Sequence, residues 1–221
     1  HRDLHSFPTR RSSDLSDANV TTISAGTTNV SGASTIGTLS GGTLTSTGAA
    51  TVTTMSGGTL TAKDNATIST LNGGAISIAS TKTATISAGT SSGNITGTGG
   101  SINKTGAGTL TLSGTNTYSG GLTVSQGTFA FGSASAAGTG TLTVNGGTLD
   151  ASAASLTASN VLTLTSDLVY AGTNSMTLSG AAALPGNKKV TVNANTLTMS
   201  GVISGAANLV KDGVGTLALT N

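Results

Sequence analysis

The sequence predicts an all-β fold, a parallel β-helix (β-solenoid) of roughly ten stacked coils, and three observations support this prediction. The chain of 221 residues contains 33 Gly but only 2% aromatic residues, so it has little large apolar material for an ordinary globular core. A short pattern recurs at a constant step of about 16 residues in the first third of the chain. Large apolar residues alternate with Thr, Ser or Ala, as in strands that bury one face.

The recurring pattern is a strand that follows a Gly-Gly turn. Residues 38–45, 54–61 and 70–77 are three copies of it. Two sets of large apolar residues keep the same step: Leu44, Leu60 and Ile76 in one set, and Ile36, Val52 and Ile68 in the other, with Ile86 following at a slightly longer step. Stacked as coils, such copies bury a continuous apolar column in which equivalent residues lie about 4.8 Å apart.

Alternation continues downstream at a wider spacing. Pairs of large apolar residues flank one small or polar residue at Leu110/Leu112, Leu122/Val124, Leu142/Val144, Leu162/Leu164, Met176/Leu178, Val190/Val192, Leu197/Met199 and Leu217/Leu219. At roughly 16–22 residues per coil, the chain would form a rod on the order of 50 Å long. An up-and-down barrel with Gly-Gly hairpins and a disordered chain are the alternatives, and the repetition of whole coils favours the β-helix.

The N-terminal segment 1–15 differs from the rest of the chain. Residues 5–15 read HSFPTRRSSDL, which resembles the in-frame translation of a widely used short-read sequencing adapter. All arginines and histidines of the chain lie in this segment. We interpret 1–15 as a non-native segment, with a genuine basic arm as the alternative, and 16–221 as a single β-solenoid. Without the segment the chain is close to neutral, so we expect no nucleic-acid partner.

One longer motif is specific. Residues 102–129 read INKTGAGTLTLSGTNTYSGGLTVSQGTF and resemble the passenger-associated transport repeat, also called the autotransporter-associated β-strand repeat. The matching positions are Lys104, Gly106, Gly108 to Leu110, Leu112 to Gly114, Asn116 to Tyr118, Gly120, Gly121, Thr123, Val124, Gly127 and Thr128. Phe129 stands where the family commonly carries Leu.

A second, truncated copy of this motif covers 201–221. Leu209, Lys211, Gly213 and Leu217 repeat Ile102, Lys104, Gly106 and Leu110 at one constant offset. The copy stops at Asn221, before its Tyr and Gly-Gly portion. We therefore expect a fragment that is open at both ends, whose native chain continues beyond this residue.

The resemblance implies a right-handed β-helix passenger of a bacterial autotransporter, which reaches the cell surface or is secreted through the outer membrane. Its expected partners are its own C-terminal outer-membrane barrel, outside this fragment, and a host-cell or matrix surface or other cells. In this family the repeat is thought to assist folding during secretion, and many passengers act as adhesins or spacers. The expected function is a structural and adhesive rod.

Residues 16–221 contain no His, Cys or Glu, which excludes Ser-His-Asp and Cys-His catalysis and the usual zinc sites. We expect no enzyme, no catalytic, cofactor-binding or metal-ligating residue, and no cofactor. A carbohydrate-active β-helix is an alternative in which Asp150 and Asp167, about one coil apart, would stack. Otherwise both carboxylates are solvated turn residues.

Two further patterns concern the surface. Tyr118 and Tyr170 are candidate contact residues, but Tyr118 belongs to the repeat, which favours packing across a corner for that side chain. Pairs of Thr would form two outward ranks on stacked coils, as in ice- or surface-binding solenoids: Thr43 and Thr45, then Thr59 and Thr61. The third coil carries Ala75 and Ser77 instead, which interrupts both ranks. Thr is also simply favourable on the outer face of a strand.

Overall fold

The computed structural model describes residues 3–4 and 13–220, and these residues form strands and turns without any helix. Most of the segment expected to be non-native, residues 1, 2 and 5–12, lies outside the described residues. Among the residues that are described, no helix is long and apolar enough to span a membrane.

The described part of the chain contains 26 strands. The strands of the first half are β1 (Asp3–Leu4), β2 (Ser13–Leu15), β3 (Ala18–Ile23), β4 (Thr27–Val30), β5 (Ser34–Leu39), β6 (Thr43–Ser46), β7 (Ala50–Ala62), β8 (Ala66–Ile78), β9 (Thr83–Ser91), β10 (Ile95–Thr96), β11 (Ser101–Lys104) and β12 (Thr109–Leu112). Those of the second half are β13 (Leu122–Val124), β14 (Thr128–Phe131), β15 (Leu142–Val144), β16 (Thr148–Ala151), β17 (Leu156–Ala158), β18 (Leu162–Leu164), β19 (Leu168–Tyr170), β20 (Met176–Leu178), β21 (Ala182–Ala183), β22 (Lys188–Val192), β23 (Thr196–Met199), β24 (Ile203–Ser204), β25 (Leu209–Asp212) and β26 (Thr216–Leu219).

The strands pair in parallel and form three ladders, one on each face of the rod. The first ladder joins β1, β3, β5, β7, β8, β9, β11, β13, β15, β18, β21 and β24. The second joins the end of β9 to β12, β14, β16, β19, β22 and β25. The third has two parts: β2, β4, β6, the ends of β7 and β8, and β10 in one, and β17, β20, β23 and β26 in the other. This is the predicted parallel β-solenoid, with about 11 coils.

The coils lengthen along the rod. Successive equivalent positions of the first ladder keep one short step from Ala18 to Ala66, and the step is longer from Ala66 to Ile102. It is longer again from Ile102 to Ala182 and longest in the final step to Ile203. The added residues widen the second face, which becomes a strand of its own from β12 onward.

The predicted apolar column is confirmed. Leu44 pairs with Leu60, and Leu60 pairs with Ile76. The second predicted set also stacks in register, from Ile36 through Val52 and Ile68 to Ile86. All of these side chains are buried. Every second residue of a strand points inward, so a fixed coil length places equivalent aliphatic side chains on top of one another.

The Gly-Gly turns stack as well, and their second glycine has a left-handed backbone. Gly42, Gly58 and Gly74 have φ of +66°, +70° and +81°. A Cβ on Gly58 would lie 2.7 Å from the carbonyl oxygens of both Gly41 and Gly42 in the coil below. These corners therefore require glycine for two reasons, the backbone angle and the close approach of the neighbouring coil.

Candidate functional site

Residues 102–129, the segment that resembles the transport repeat, occupy about one and a half coils. Strand β11 runs along the first face, a turn at Gly106 (φ +73°) leads to β12 on the second face, and residues 113–120 cross the third face without joining a ladder. The next coil supplies β13 and β14. This part of the rod holds three buried side chains with polar groups, Lys104, Asn116 and Tyr118.

Lys104 is completely buried, at 0% exposure. Its Nζ donates to the carbonyl oxygens of Thr105 at 2.7 Å, Gly106 at 2.9 Å and Gln126 at 2.9 Å. An ammonium group has three donors, and here each one has an acceptor. Burial lowers the pKa of Lys104, because removal from water disfavours the charged form.

Asn116 joins its coil to both neighbouring coils. Its Oδ1 accepts from the backbone N–H of Ile95 at 2.8 Å in the coil below. Its Nδ2 donates to the carbonyl oxygen of Ala136 at 3.0 Å in the coil above. The side chain is buried, and a buried amide whose partners lie on two other coils fixes the relative position of all three.

Tyr118 is buried and its hydroxyl donates to the same acceptor, the Ala136 carbonyl, at 3.3 Å. Burial raises the pKa of Tyr118 well above its usual range. Tyr170 is also buried, and burial together with the charge of Asp150 raises its pKa to about 12. Neither tyrosine is therefore available as a surface contact, and the packing expected for Tyr118 is confirmed.

Aromatic packing adds to these hydrogen bonds. Phe129 and Phe131 of β14 lie in register above Leu110 and Leu112 of β12. The two rings meet edge to face, with centroids 4.9 Å apart and an interplanar angle of 83°. Such pairs are worth about 0.5–1.5 kcal/mol beyond the area that they bury. Phe129, which stands where the family commonly carries Leu, thus places an aromatic ring in the core.

The second copy of the motif adopts the same corner on a different face. Lys211 of β25 donates to the carbonyl of Gly213, as Lys104 of β11 does to the carbonyl of Gly106. Gly213 has φ +81°. Strand β25, however, belongs to the second ladder, whereas β11 belongs to the first. The copy is rotated by one face because the first ladder returns at β24, ahead of β25, so the two copies are separated by more than a whole number of coils.

Asp150 and Asp167 do not stack, as the carbohydrate-active alternative would require. The register pairs Leu149 with Tyr170, so a coil is longer here than the separation of the two carboxylates. Asp150 Oδ1 accepts from the N–H of Thr173 at 2.8 Å. Asp167 Oδ1 accepts from the N–H of Lys189 at 2.9 Å. Each carboxylate therefore binds the backbone of the following coil, and the described residues contain no cluster of three or more potential metal ligands.

The Thr ranks on the third face end as the sequence predicts, since Thr59 pairs with Ala75 and Thr61 with Ser77. Sequence reasoning missed a longer rank on the outer side of the first face. It consists of Thr35, Thr51, Thr67, Thr85, Asn103, Thr123, Thr143 and Thr163. The constant step between Thr35, Thr51 and Thr67 is the sequence signal that could have revealed this rank.

Comparison with known proteins agrees with the motif. Residues 102–131 match the model of the Passenger-associated-transport-repeat family, which is similar to this chain over that segment. No curated protein and no solved structure matches the chain. The match ends at Phe131, the last residue of β14, and so includes Lys104, Asn116, Tyr118 and the aromatic pair.

Proposed function

From a β-solenoid that contains a passenger-associated transport repeat, we propose that this chain is a structural and adhesive passenger rod of a bacterial autotransporter. The repeat assists folding during secretion, and the rod stands at the cell surface or is released through the outer membrane. The observation that supports this proposal most is that buried polar side chains of the repeat bind the coils on both sides. The partners are the chain's own outer-membrane barrel and a host-cell, matrix or neighbouring-cell surface.

A physical argument connects the repeat to folding. In a solenoid each coil contacts only its neighbours, so a chain that emerges end-first can add coils one at a time. Aliphatic contacts and backbone bonds join each coil to the next throughout the rod. The repeat adds Asn116, which binds the coils above and below, and Tyr118 and Lys104, which bind the coil above. It is therefore suited to hold a newly added coil in register.

A structural, non-catalytic role is part of the proposal. Glycoside hydrolysis needs two carboxylates at a set distance across one substrate. Asp150 and Asp167 are displaced along the coil and each is engaged by the backbone of the next coil, which argues against the carbohydrate-active alternative.

The folding role is tested by deleting one coil at a time. Removal of residues 102–121 takes out one repeat coil in register, because Ile102 pairs with Leu122. Removal of 142–161, equally long and equally in register, is the matched control, and it too removes a buried amide, that of Asn160. For the experiment, both variants are fused to the translocation unit of a bacterial autotransporter. Only the first deletion should lower the yield of protease-resistant passenger, and equal yields would contradict the proposed role.

The Thr rank of the first face favours a second candidate function, binding to a regular solid surface such as ice. Its hydroxyl groups repeat at the coil spacing of about 4.8 Å on both sides of Asn103, which interrupts the rank. Thermal hysteresis and ice shaping by the rod, with loss of both in Thr51→Tyr and Thr67→Tyr variants, would support this function. Normal ice growth in the presence of the unaltered rod would remove it.

A further inference from the structure

Lys104 interrupts an aliphatic column. In the first ladder its position pairs with Ile86 in the coil below and with Val124 in the coil above. The same column continues to Val144 and Leu164, and these aliphatic neighbours are all buried. A side chain that served only to fill this position would be aliphatic, as it is in the flanking coils. The ammonium group therefore needs an explanation other than packing.

Three carbonyl oxygens surround that ammonium. Two of them belong to the turn that follows β11, and the third, from Gln126, belongs to the next coil. Gly106 has a left-handed backbone at φ +73°. Gly127 leaves the space that the ammonium uses, because a Cβ there would lie 2.8 Å from Nζ. Two glycines thus shape a pocket of acceptors around one positive charge.

Among the residues that the structure describes, no carboxylate pairs with Lys104. The ion pairs of that part of the chain are Lys82 with Asp64 and Lys189 with Asp212. The contacts of Lys104 Nζ are backbone carbonyls. Carbonyl dipoles that converge on one point favour a cation there, in the same way as carbonyl ligands favour a bound metal ion.

We propose that the carbonyl groups of Thr105, Gly106 and Gln126 form an internal cation-binding site for a primary ammonium, occupied by the chain's own Lys104. Occupancy ties the turn of one coil to the following coil and sets the register between them. The ammonium acts through its three N–H donors and its charge. The aliphatic stem of Lys104 takes the place in the column that Ile86 and Val124 take in the neighbouring coils.

The second copy repeats part of this arrangement. Lys211 also takes a position in an aliphatic column, this time in the second ladder, where Leu168 pairs with Val190 and Val190 with Lys211. It donates to the carbonyl of Gly213 in the equivalent turn. Lys211 is exposed and, among the described strands, its strand pairs only with β22, so the second copy repeats the contact to the turn but not the contact to a following coil.

Chemical rescue tests the site on the purified 221-residue chain, so the result does not depend on secretion. Lys104→Ala empties the site and should increase amide hydrogen exchange in residues 122–131 by about tenfold or more, since buried bonds to a charged group are lost. Propylammonium should restore protection, whereas tetramethylammonium, which has the charge but no N–H donor, should not. Lys63→Ala, at an exposed lysine, is the matched control and should leave exchange unchanged.

Two results would overturn the proposal. One is a Lys104→Met variant whose amides exchange as slowly as those of the unaltered chain, because an apolar side chain would then be sufficient to hold the two coils in register. The other is an emptied site that propylammonium does not restore. If Lys104→Ala fails to fold, nitrogen-15 spectra of the lysine ammonium groups in the unaltered chain decide the question. Lys104 should show a slowly exchanging ammonium at neutral pH, and exchange as fast as that of Lys63 would contradict the assignment.

Discussion

Lys104 and Lys211 each donate to the carbonyl of the glycine that opens the following turn, yet they lie on different faces of the rod. The strand, the lysine and the glycine turn therefore recur together at two different corners of the coil, although Lys104 is buried and Lys211 is exposed. Both of these corners join one parallel strand to another, β11 to β12 and β25 to β26.

Deletion of residues 50–65 should give a folded rod that is shorter by one coil. Ala50 pairs with Ala66 and Val52 with Ile68, so the deletion joins two equivalent positions and keeps every inward side chain inward. Circular dichroism should show unchanged strand content per residue, and resistance to protease should be retained.

Deletion of residues 50–57, half a coil, is the control. It places side chains of one face above those of another and should abolish cooperative unfolding. If both deletions were tolerated equally, register would not be what holds these coils together.

Gly58→Ala should lower the free energy of unfolding by about 2 kcal/mol or more. The left-handed φ of +70° penalises a Cβ, and that atom would also meet the carbonyl oxygens of Gly41 and Gly42 at 2.7 Å. Gly186→Ala is the matched control, because a Cβ there has no atom within 4 Å. It should change the free energy by no more than about 0.5 kcal/mol. Urea midpoints of the two variants compare them, and equal midpoints would be evidence against the corner argument.

Leu60→Ala should destabilise the rod by about 2–5 kcal/mol, since it opens a cavity in the middle of the aliphatic column. Leu60 is fully buried and is flanked by Leu44 and Ile76. Because each coil contacts only its neighbours, hydrogen exchange should rise mainly in the three adjoining coils. Thr51→Ala, on the outer side of the same strand, should have little effect. A uniform rise along the whole rod would show that the coils unfold as a single unit.

Tyr118 should make the rod sensitive to alkaline pH. Its raised pKa means that the folded chain keeps a proton that the unfolded chain loses above about pH 10. This contribution to stability is complete below that pH and declines above it, at up to about 1.4 kcal/mol per pH unit. Tyr118→Phe should flatten the decline and cost about 1 kcal/mol at neutral pH, where the hydrogen bond to Ala136 is lost.

Urea unfolding between about pH 8 and 12 measures this dependence for both chains. Tyr170, whose pKa is raised to about 12, should leave a residual slope in the variant. Lys104 has a lowered pKa, so its contribution grows with pH and partly offsets the decline. Because Lys104 is present in both the unaltered chain and the Tyr118→Phe variant, its contribution should largely cancel when their slopes are compared. Identical slopes for the two chains would mean that Tyr118 ionises in the folded state as readily as a free tyrosine.

The sequence predicts the fold well because the fold depends on period. Leu44, Leu60 and Ile76 recur at a constant step, and a constant step is all that a parallel column requires. The stacking of Asp150 and Asp167 that the carbohydrate-active alternative needed does not occur, because the coils have lengthened by that point. Where the step varies, the register cannot be extrapolated from earlier coils.

The site is less predictable than the fold. The motif identifies Lys104 and Tyr118, but their burial depends on the carbonyls of Gln126 and Ala136, which belong to the next coil. A lysine or a tyrosine between Gly, Thr and Ser has the composition of a surface segment. For Lys104, only the position of the next coil shows that the side chain is enclosed, whereas the repeat already indicated packing for Tyr118.

In-register stacking of equal coils has a consequence for how such a gene can change. Gain or loss of one coil's worth of codons, by unequal recombination between the similar segments that encode residues 38–45, 54–61 and 70–77, leaves each surviving side chain with an equivalent neighbour. The length of the encoded rod can therefore evolve in increments of about 4.8 Å without a change to its cross-section. The lengthened coils beyond Ile78 would not be interchangeable with these, so such drift should be confined to the first part of the chain.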